Sequence, residues 1–330
     1  MSASVGWMER HQVALYVAAL GAGAAIGLLW PSVASPAELV VQPILALLLY
    51  ATFLGIPMRR LGRGLRDWRF LSTVLVLNFV VVPFVVWPLS RIVAHDQAVL
   101  VGVLMVLLTP CIDYVIVFAG LAGGDAERLL TAAPMLMLGQ MLLLPAYLWL
   151  FVGPGFAEHI ELRPFVDAFV FIIALPLVAA ALTQLAAARW RAARMLDAAG
   201  KSAMVPLMVA TPVVVVASQI SGVGARLSSL VTVLPLFVIF AGVMVPIGML
   251  VSRVAGLETS GRRAVVFSGA TRNSLVVLPL VLALPAAFDL SPLVVVTQTL
   301  VELVAMVVLI RLVPRLLPES KSSSAMRDHR

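Results

Sequence analysis

Leu107-Leu108-Thr109-Pro110-Cys111-Ile112-Asp113-Tyr114-Val115-Ile116-Val117-Phe118 lies inside a run of about 25 mostly apolar residues, long enough to cross a bilayer as a helix. Three residues at its centre suit a plain spanning helix badly: Pro110, Asp113 and Cys111, the chain's only cysteine. Proline removes a backbone hydrogen bond and breaks a helix at the preceding turn. An aspartate at mid-membrane depth costs roughly 2.5–3.5 kcal/mol on insertion scales. Both are tolerated where the backbone is buried in protein or lines a wet cavity. A simple proline kink with a small cysteine beside it would leave the aspartate unexplained. The stretch therefore reads as a broken transmembrane helix whose break faces a substrate.

The surrounding composition supports a membrane setting. The chain has 330 residues, 62% hydrophobic and 12% charged, with mean hydropathy +1.08. A soluble domain carries about 25% charged residues. The net charge of +7 does not imply nucleic acid, because the cations sit in short loops and no basic patch is interleaved with aromatics. One cysteine excludes an internal disulfide and a cysteine-based metal cage. His11, His95, His159 and His329 fall in predicted loops and tails. No Gly-x-Gly-x-x-Gly, Walker loop or His-Glu-x-x-His occurs, so neither ATPase nor hydrolase machinery is expected, and no enzyme activity or cofactor is assigned.

Ten apolar segments can be drawn, at 13–30, 39–57, 70–90, 97–121, 127–152, 164–188, 203–221, 229–252, 262–285 and 291–313. Val13 to Trp30 is too long for a signal-peptide core and is kept as the first span. With ten spans, Arg59, Arg60, Arg63, Arg66, Arg69, Arg189, Arg191, Arg194, Lys201, Arg253, Arg262, Arg263, Arg311 and Arg315 all fall on the side of the termini. The opposite side holds only Arg91, Arg163 and Arg226. The positive-inside rule then places both termini in the cytoplasm of a multi-pass plasma-membrane (inner-membrane) protein.

Ten spans divide into two five-helix repeats, 1–158 and 159–318, followed by a polar tail, 319–330, read as disordered and cytoplasmic. An odd number of helices per half sets the halves in opposite orientation, as in many secondary transporters. A shift of 163 residues brings Pro43 onto Pro206 and Val82-Pro83 onto Val245-Pro246, and a shift of 162 brings Thr109 onto Thr271. The expected fold is thus an all-α membrane protein of two inverted repeats, with discontinuous helices 4 and 9 crossing each other.

The second interruption is Ser268-Gly269-Ala270-Thr271-Arg272-Asn273-Ser274, inside segment nine. Matching interruptions in the two halves are the best sequence pointer to a midplane site. The alternative, a loop running from Arg262 to Ser274, would leave a remnant short for a span. Thr109 and Pro110 suit an N-cap and a first helical position. Cys111 would then sit in the first turn of a half-helix, whose dipole favours thiolate. A buried Arg272 needs an anionic partner, and repeat symmetry offers Asp113. Glu302 is a second intramembrane acid, and Gln298, four residues earlier, shares its helix face. Asp113, Glu302 and Gln298 are candidates for ion or proton coupling, Glu302 either carrying a proton or partnering Arg272. Asn78 and Gln140 are minor polar candidates, since single polar residues often join membrane helices.

These residues resemble a known family. The ten-segment pattern resembles the bile acid:sodium symporter superfamily, whose crossing helices are the fourth and ninth. Within it, Leu108-Thr109-Pro110-Cys111-Ile112-Asp113 followed by Gly123-Gly124-Asp125 resembles the arsenite efflux permeases, whose essential cysteine maps to Cys111. Leu300-Val301-Glu302-Leu303 resembles their last-helix Pro-Leu-Ile/Val-Glu-Val-Pro motif without the prolines. Ala270-Thr271-Arg272-Asn273-Ser274 is similar to the Gly-Met-Gln/Arg-Asn motif of bile-acid-type members. The chain departs from the pattern in three places. Leu275 stands where many arsenite permeases carry glutamate, Ser268 stands where sodium-coupled members carry glutamate, and Arg272 stands at a sodium-coordinating glutamine. A fixed cation there would repel sodium and could substitute for it electrostatically.

The resemblance implies a transporter with Thr109, Pro110, Cys111, Thr271, Arg272, Asn273 and Ser274 around its substrate. One expected substrate is arsenite or antimonite. Trivalent arsenic is soft and thiol-seeking, and one thiol at Cys111 allows release where three would trap it. The other is a small organic anion held by Arg272 and the half-helix N-termini. A membrane sensor or scaffold is disfavoured, because the chain has almost no soluble part with which to signal. The expected partners are the bilayer and that small-molecule, oxyanion or metalloid substrate, in a monomer or homodimer.

Overall fold

The computed structural model describes residues 12–55, 67–112, 114–153, 169–223, 227–282 and 284–318. Asp113, the arginines at 59–66, Arg163, Arg226 and the tail at 319–330 lie outside the described residues. The described chain is all helical, and its one extended pairing is an isolated bridge between Pro110 and Arg272.

The helices are α1 (Gln12–Leu29), α2 (Ala34–Gly55), α3 (Trp68–Val76), α4 (Val82–Ile92), α5 (Gln97–Leu107), α6 (Tyr114–Leu121) and α7 (Ala126–Val152). They continue as α8 (Leu175–Ala187), α9 (Arg191–Val223), α10 (Leu227–Val254), α11 (Thr259–Ala270), α12 (Ser274–Leu282) and α13 (Ser291–Leu316). Among the described residues, four stretches are long and apolar enough to cross a membrane: 68–92, 126–152, 230–254 and 286–316. Two bent pairs raise the number to six if each is one span: Gly21–Leu29 with Pro31–Val41, bent by 107°, and Arg191–Leu207 with Val209–Ser218, bent by 47°. The second bend lies where Pro212 cannot donate to the carbonyl four residues before it.

The helices form two packed groups. In one, α1, α2 and α8 lie against α9. In the other, the interrupted pairs α5/α6 and α11/α12 are enclosed by α7, α10 and α13. α13 touches both α5 and α12, and contacts from α9 to α13 and from α2 to α12 join the groups. Large apolar side chains such as Phe84, Leu142, Phe171, Val238 and Val304 point outward, as lipid-facing positions do.

Two sequence expectations need correction at element boundaries. The seventh segment was placed at 203–221, yet α9 begins at Arg191. Arg191, Arg194 and Lys201 are therefore helical rather than in a loop. Ala, Arg, Met, Leu and Lys are good helix formers, and Lys201 pairs with Asp197 one turn away at 2.7 Å. The second segment likewise starts earlier than position 39, at Ala34. Hydropathy marks only the apolar part of a helix, so both starts were missed.

Between α3 and α4 the chain makes a π-helical turn, Leu77–Val81. Pro83 has no N–H for the Phe79 carbonyl, and the Tyr147 hydroxyl of α7 donates to that oxygen instead. The wider turn also carries Asn78, whose side chain is fully buried and faces α11. Such bulges frequently sit at functional sites.

α5 and α13 approach closely at Gly102. A Cβ there would lie 3.0 Å from both the Cα and the O of Ser291 and 2.9 Å from Val294 Cβ. The Ser291 hydroxyl donates to the Ala98 carbonyl of α5 at 2.6 Å. Gly102→Val should therefore force the helices apart and cost about 1–3 kcal/mol. A thermal melt of the detergent-purified protein checks it: a lowered Tm is expected, and an unchanged one would contradict this packing.

Candidate functional site

α5 stops at Leu107 because the next residues turn away and Pro110 cannot donate. The Thr109 hydroxyl donates back to the Met105 carbonyl at 2.7 Å, closing the last turn. α11 ends in the same manner, with the Thr271 hydroxyl donating to the Phe267 carbonyl at 2.8 Å. The two extended breaks then pair with each other. Pro110 and Arg272 form an antiparallel bridge, and the Asn273 N–H donates to the Thr109 carbonyl at 2.9 Å. This pairing satisfies polar backbone that lipid could not.

The second halves begin on the far side of the bridge. Asn273 caps α12 by accepting from the Val276 N–H at 3.1 Å. α6 starts at Tyr114, directly after Asp113. Cys111, 0% exposed, lies in the first break between the bridge and α6.

Arg272 is the hub, although it is only 1% exposed. Its Nη1 donates to the Leu107 carbonyl at 3.3 Å. Its Nη2 donates to the Ser268 and Gly269 carbonyls, each at 2.8 Å, and to Asn78 Oδ1 at 2.8 Å. The guanidinium thus binds the C-terminal carbonyls of both first half-helices, where the partial negative charge of the dipole collects. The Phe240 ring of α10 lies 5.4 Å from its central carbon, within cation–π range. Asn78 is held in turn, its Nδ2 donating to Ser268 Oγ and to the Val74 carbonyl, each at 2.9 Å.

Glu302, 6% exposed on α13, accepts from the backbone N–H of Arg272 at 2.7 Å and from the Gln298 side chain. A buried carboxylate and a buried guanidinium therefore sit on the main chain and side chain of one residue. Three polar atoms at these positions have no hydrogen-bond partner among the described residues: Arg272 Nε, Asn273 Nδ2 and Gln298 Oε1.

The structure brings Thr109, Pro110, Thr271, Arg272, Asn273, Glu302 and Gln298 into one connected arrangement, and Asn78 joins them. Ser274 opens α12 and lines a small cavity with Thr299 of α13 and Pro212 and Val216 of α9, between the two helix groups. Gln140 is buried on α7, and its Oε1 has no partner among the described residues. No bond links it to the crossing among those residues. The pairing of Asp113 with Arg272 falls outside the described residues. Sequence reasoning missed the role of Ser268, although its place four residues before Arg272 shares a helical face. It also missed Phe240, an apolar residue on a distant helix with no signal of its own. No group of three His, Cys, Asp or Glu side chains occurs among the described residues, so they offer no cage for a resident metal.

A helical, membrane-type bundle with two interrupted helices crossing at a buried polar centre defines a polytopic membrane protein. The family model described as the sodium bile acid symporter family matches residues 42–226, more than half of the chain. The chain belongs to that family of membrane transporters. The match includes the first break and stops before the second. No curated protein matches the chain.

Removing the guanidinium would leave three carbonyls, the Asn78 amide oxygen and the Glu302 charge without their cation. Breaking a buried ionic arrangement costs about 3–5 kcal/mol, whereas losing one neutral bond costs about 1–3 kcal/mol. Arg272→Met should therefore lower stability more than Asn78→Ala. The double variant should show less than the sum, because both act on one network. Thermal melts of the four proteins measure this, and strict additivity would contradict the shared network.

Proposed function

We propose that this protein is a secondary transporter that exports arsenite across the plasma membrane, with the helix crossing as its binding place and Cys111 as the soft contact for As(III). The supporting observation is the division of labour at the crossing. Nη1 and Nη2 of Arg272 are spent on carbonyls and Asn78, so most of the guanidinium is committed to the protein itself. Glu302 beside it would repel an anionic substrate. The neutral trihydroxide As(OH)3 suits such a charge-balanced place: a single thiol replaces one hydroxide, which leaves with the thiol proton as water, and water reverses the step to release the metalloid. Resting energy for export would come from a proton exchanged at Glu302 or Asp113, or from the membrane potential.

This reading carries the wider architecture with it: ten spans in two inverted repeats, 1–158 and 159–318, with a cytoplasmic tail at 319–330 and both termini in the cytoplasm. The matching chemistry of the two breaks supports it, each ended by a threonine back-bond one turn earlier. A second reading, carriage of a small organic anion, draws on the unpartnered donors Arg272 Nε and Asn273 Nδ2. Those two donors would point to a carboxylate or sulfonate, with Cys111 incidental.

Expression in a strain lacking arsenic efflux separates the two. Wild type should restore growth under arsenite and lower cellular arsenic, and Cys111→Ser should lose most of that protection at equal membrane abundance. If wild type gives no protection yet saturably moves a small carboxylate, the organic-anion reading replaces this one.

A further inference from the structure

We propose that Arg272 is a built-in cation that permanently fills the monovalent-cation place at the helix crossing, so that the protein works without binding sodium or potassium there. In membrane proteins with unwound helices, exposed carbonyls and half-helix C-terminal ends coordinate a small cation. Here the same kind of oxygens converge from two helices. Leu107 supplies the end of α5, and Ser268 and Gly269 supply the end of α11. Asn78 Oδ1 adds a fourth, side-chain oxygen from the π-helical turn.

Four oxygens from three chain segments around one positive group form the donor set of an alkali-ion site. The occupant here is covalently attached. Its bonds of 2.8 Å to three of these oxygens leave no space for a second cation. Coulomb repulsion between two like charges in one buried place would also oppose a second cation. The counter-charge is tethered in place as well, because Glu302 is tied to the Arg272 backbone N–H and to Gln298. An exchangeable ion could leave the site in part of a transport cycle, whereas a tethered guanidinium stays. The two half-helix ends would therefore remain neutralised throughout.

The test is ion dependence of the purified protein, measured without substrate and thus independent of the arsenite proposal. Thermal melts are run at constant ionic strength in sodium, potassium or choline chloride. Wild type should give the same Tm in all three, and so should Arg272→Lys, which keeps a tethered charge. Arg272→Gln should melt lower in choline, by at least about 2 °C, and recover part of that loss saturably as sodium or potassium is added. A saturable rise of the wild-type Tm with sodium would overturn the proposal, and so would an Arg272→Gln protein indifferent to all three salts. If Arg272→Gln cannot be purified, the wild-type titration alone still decides the matter.

Discussion

Two interrupted helices inside an apolar bundle leave peptide carbonyls facing a medium that cannot hydrate them, and one guanidinium answers for both interruptions. A helix that stops in water hands its last carbonyls to solvent. Here α5 and α11 stop within protein, and Arg272 takes Leu107, Ser268 and Gly269 together. The two breaks also pair with each other across the Pro110–Arg272 bridge, where the Asn273 N–H donates to the Thr109 carbonyl. Without such a donor, each orphaned carbonyl would carry the desolvation penalty of a lost hydrogen bond. The crossing is therefore held by a charge that serves local backbone chemistry first.

That constraint orders the helices around it. Asn78 can reach Arg272 because the Leu77–Val81 turn is π-helical, and Pro83 forfeits a donor in that same turn. Tyr147 repairs the loss at Phe79 and ties α7 to the turn. On the other side α13 brings Glu302 and Gln298 to the Arg272 main chain. Its approach is possible because Gly102 lets α5 lie against Ser291. Proline, glycine and asparagine, all poor residues for a straight apolar helix, thus act together in positioning one arginine.

Much of this was legible in the sequence, and the gaps have physical causes. Both breaks were readable, because Thr109-Pro110 and Gly269 to Ser274 violate the composition of a spanning helix. Glu302 with Gln298 was readable from their spacing of one turn. The use of Arg272 was only half readable. A buried guanidinium signals a need for acceptors, but peptide carbonyls carry no sequence signature, so the expectation named only the acids Asp113 and Glu302. Asn78 was undervalued for a similar reason: a lone polar residue shows nothing of the helix it will meet. The start of α9 was hidden because polar helix formers give no hydropathy signal.

The positions of Cys111 and Arg272 suggest why one crossing can hold both. Lipid-buried sites must balance charge locally, since an unpaired ion costs several kcal/mol. Glu302 on the Arg272 main chain and the guanidinium beside it put opposite charges in one buried place. Both terminal nitrogens of that guanidinium are taken by oxygens of the protein itself. The same residue that stabilises the broken helices therefore also carries the positive half of the buried charge pair at their crossing.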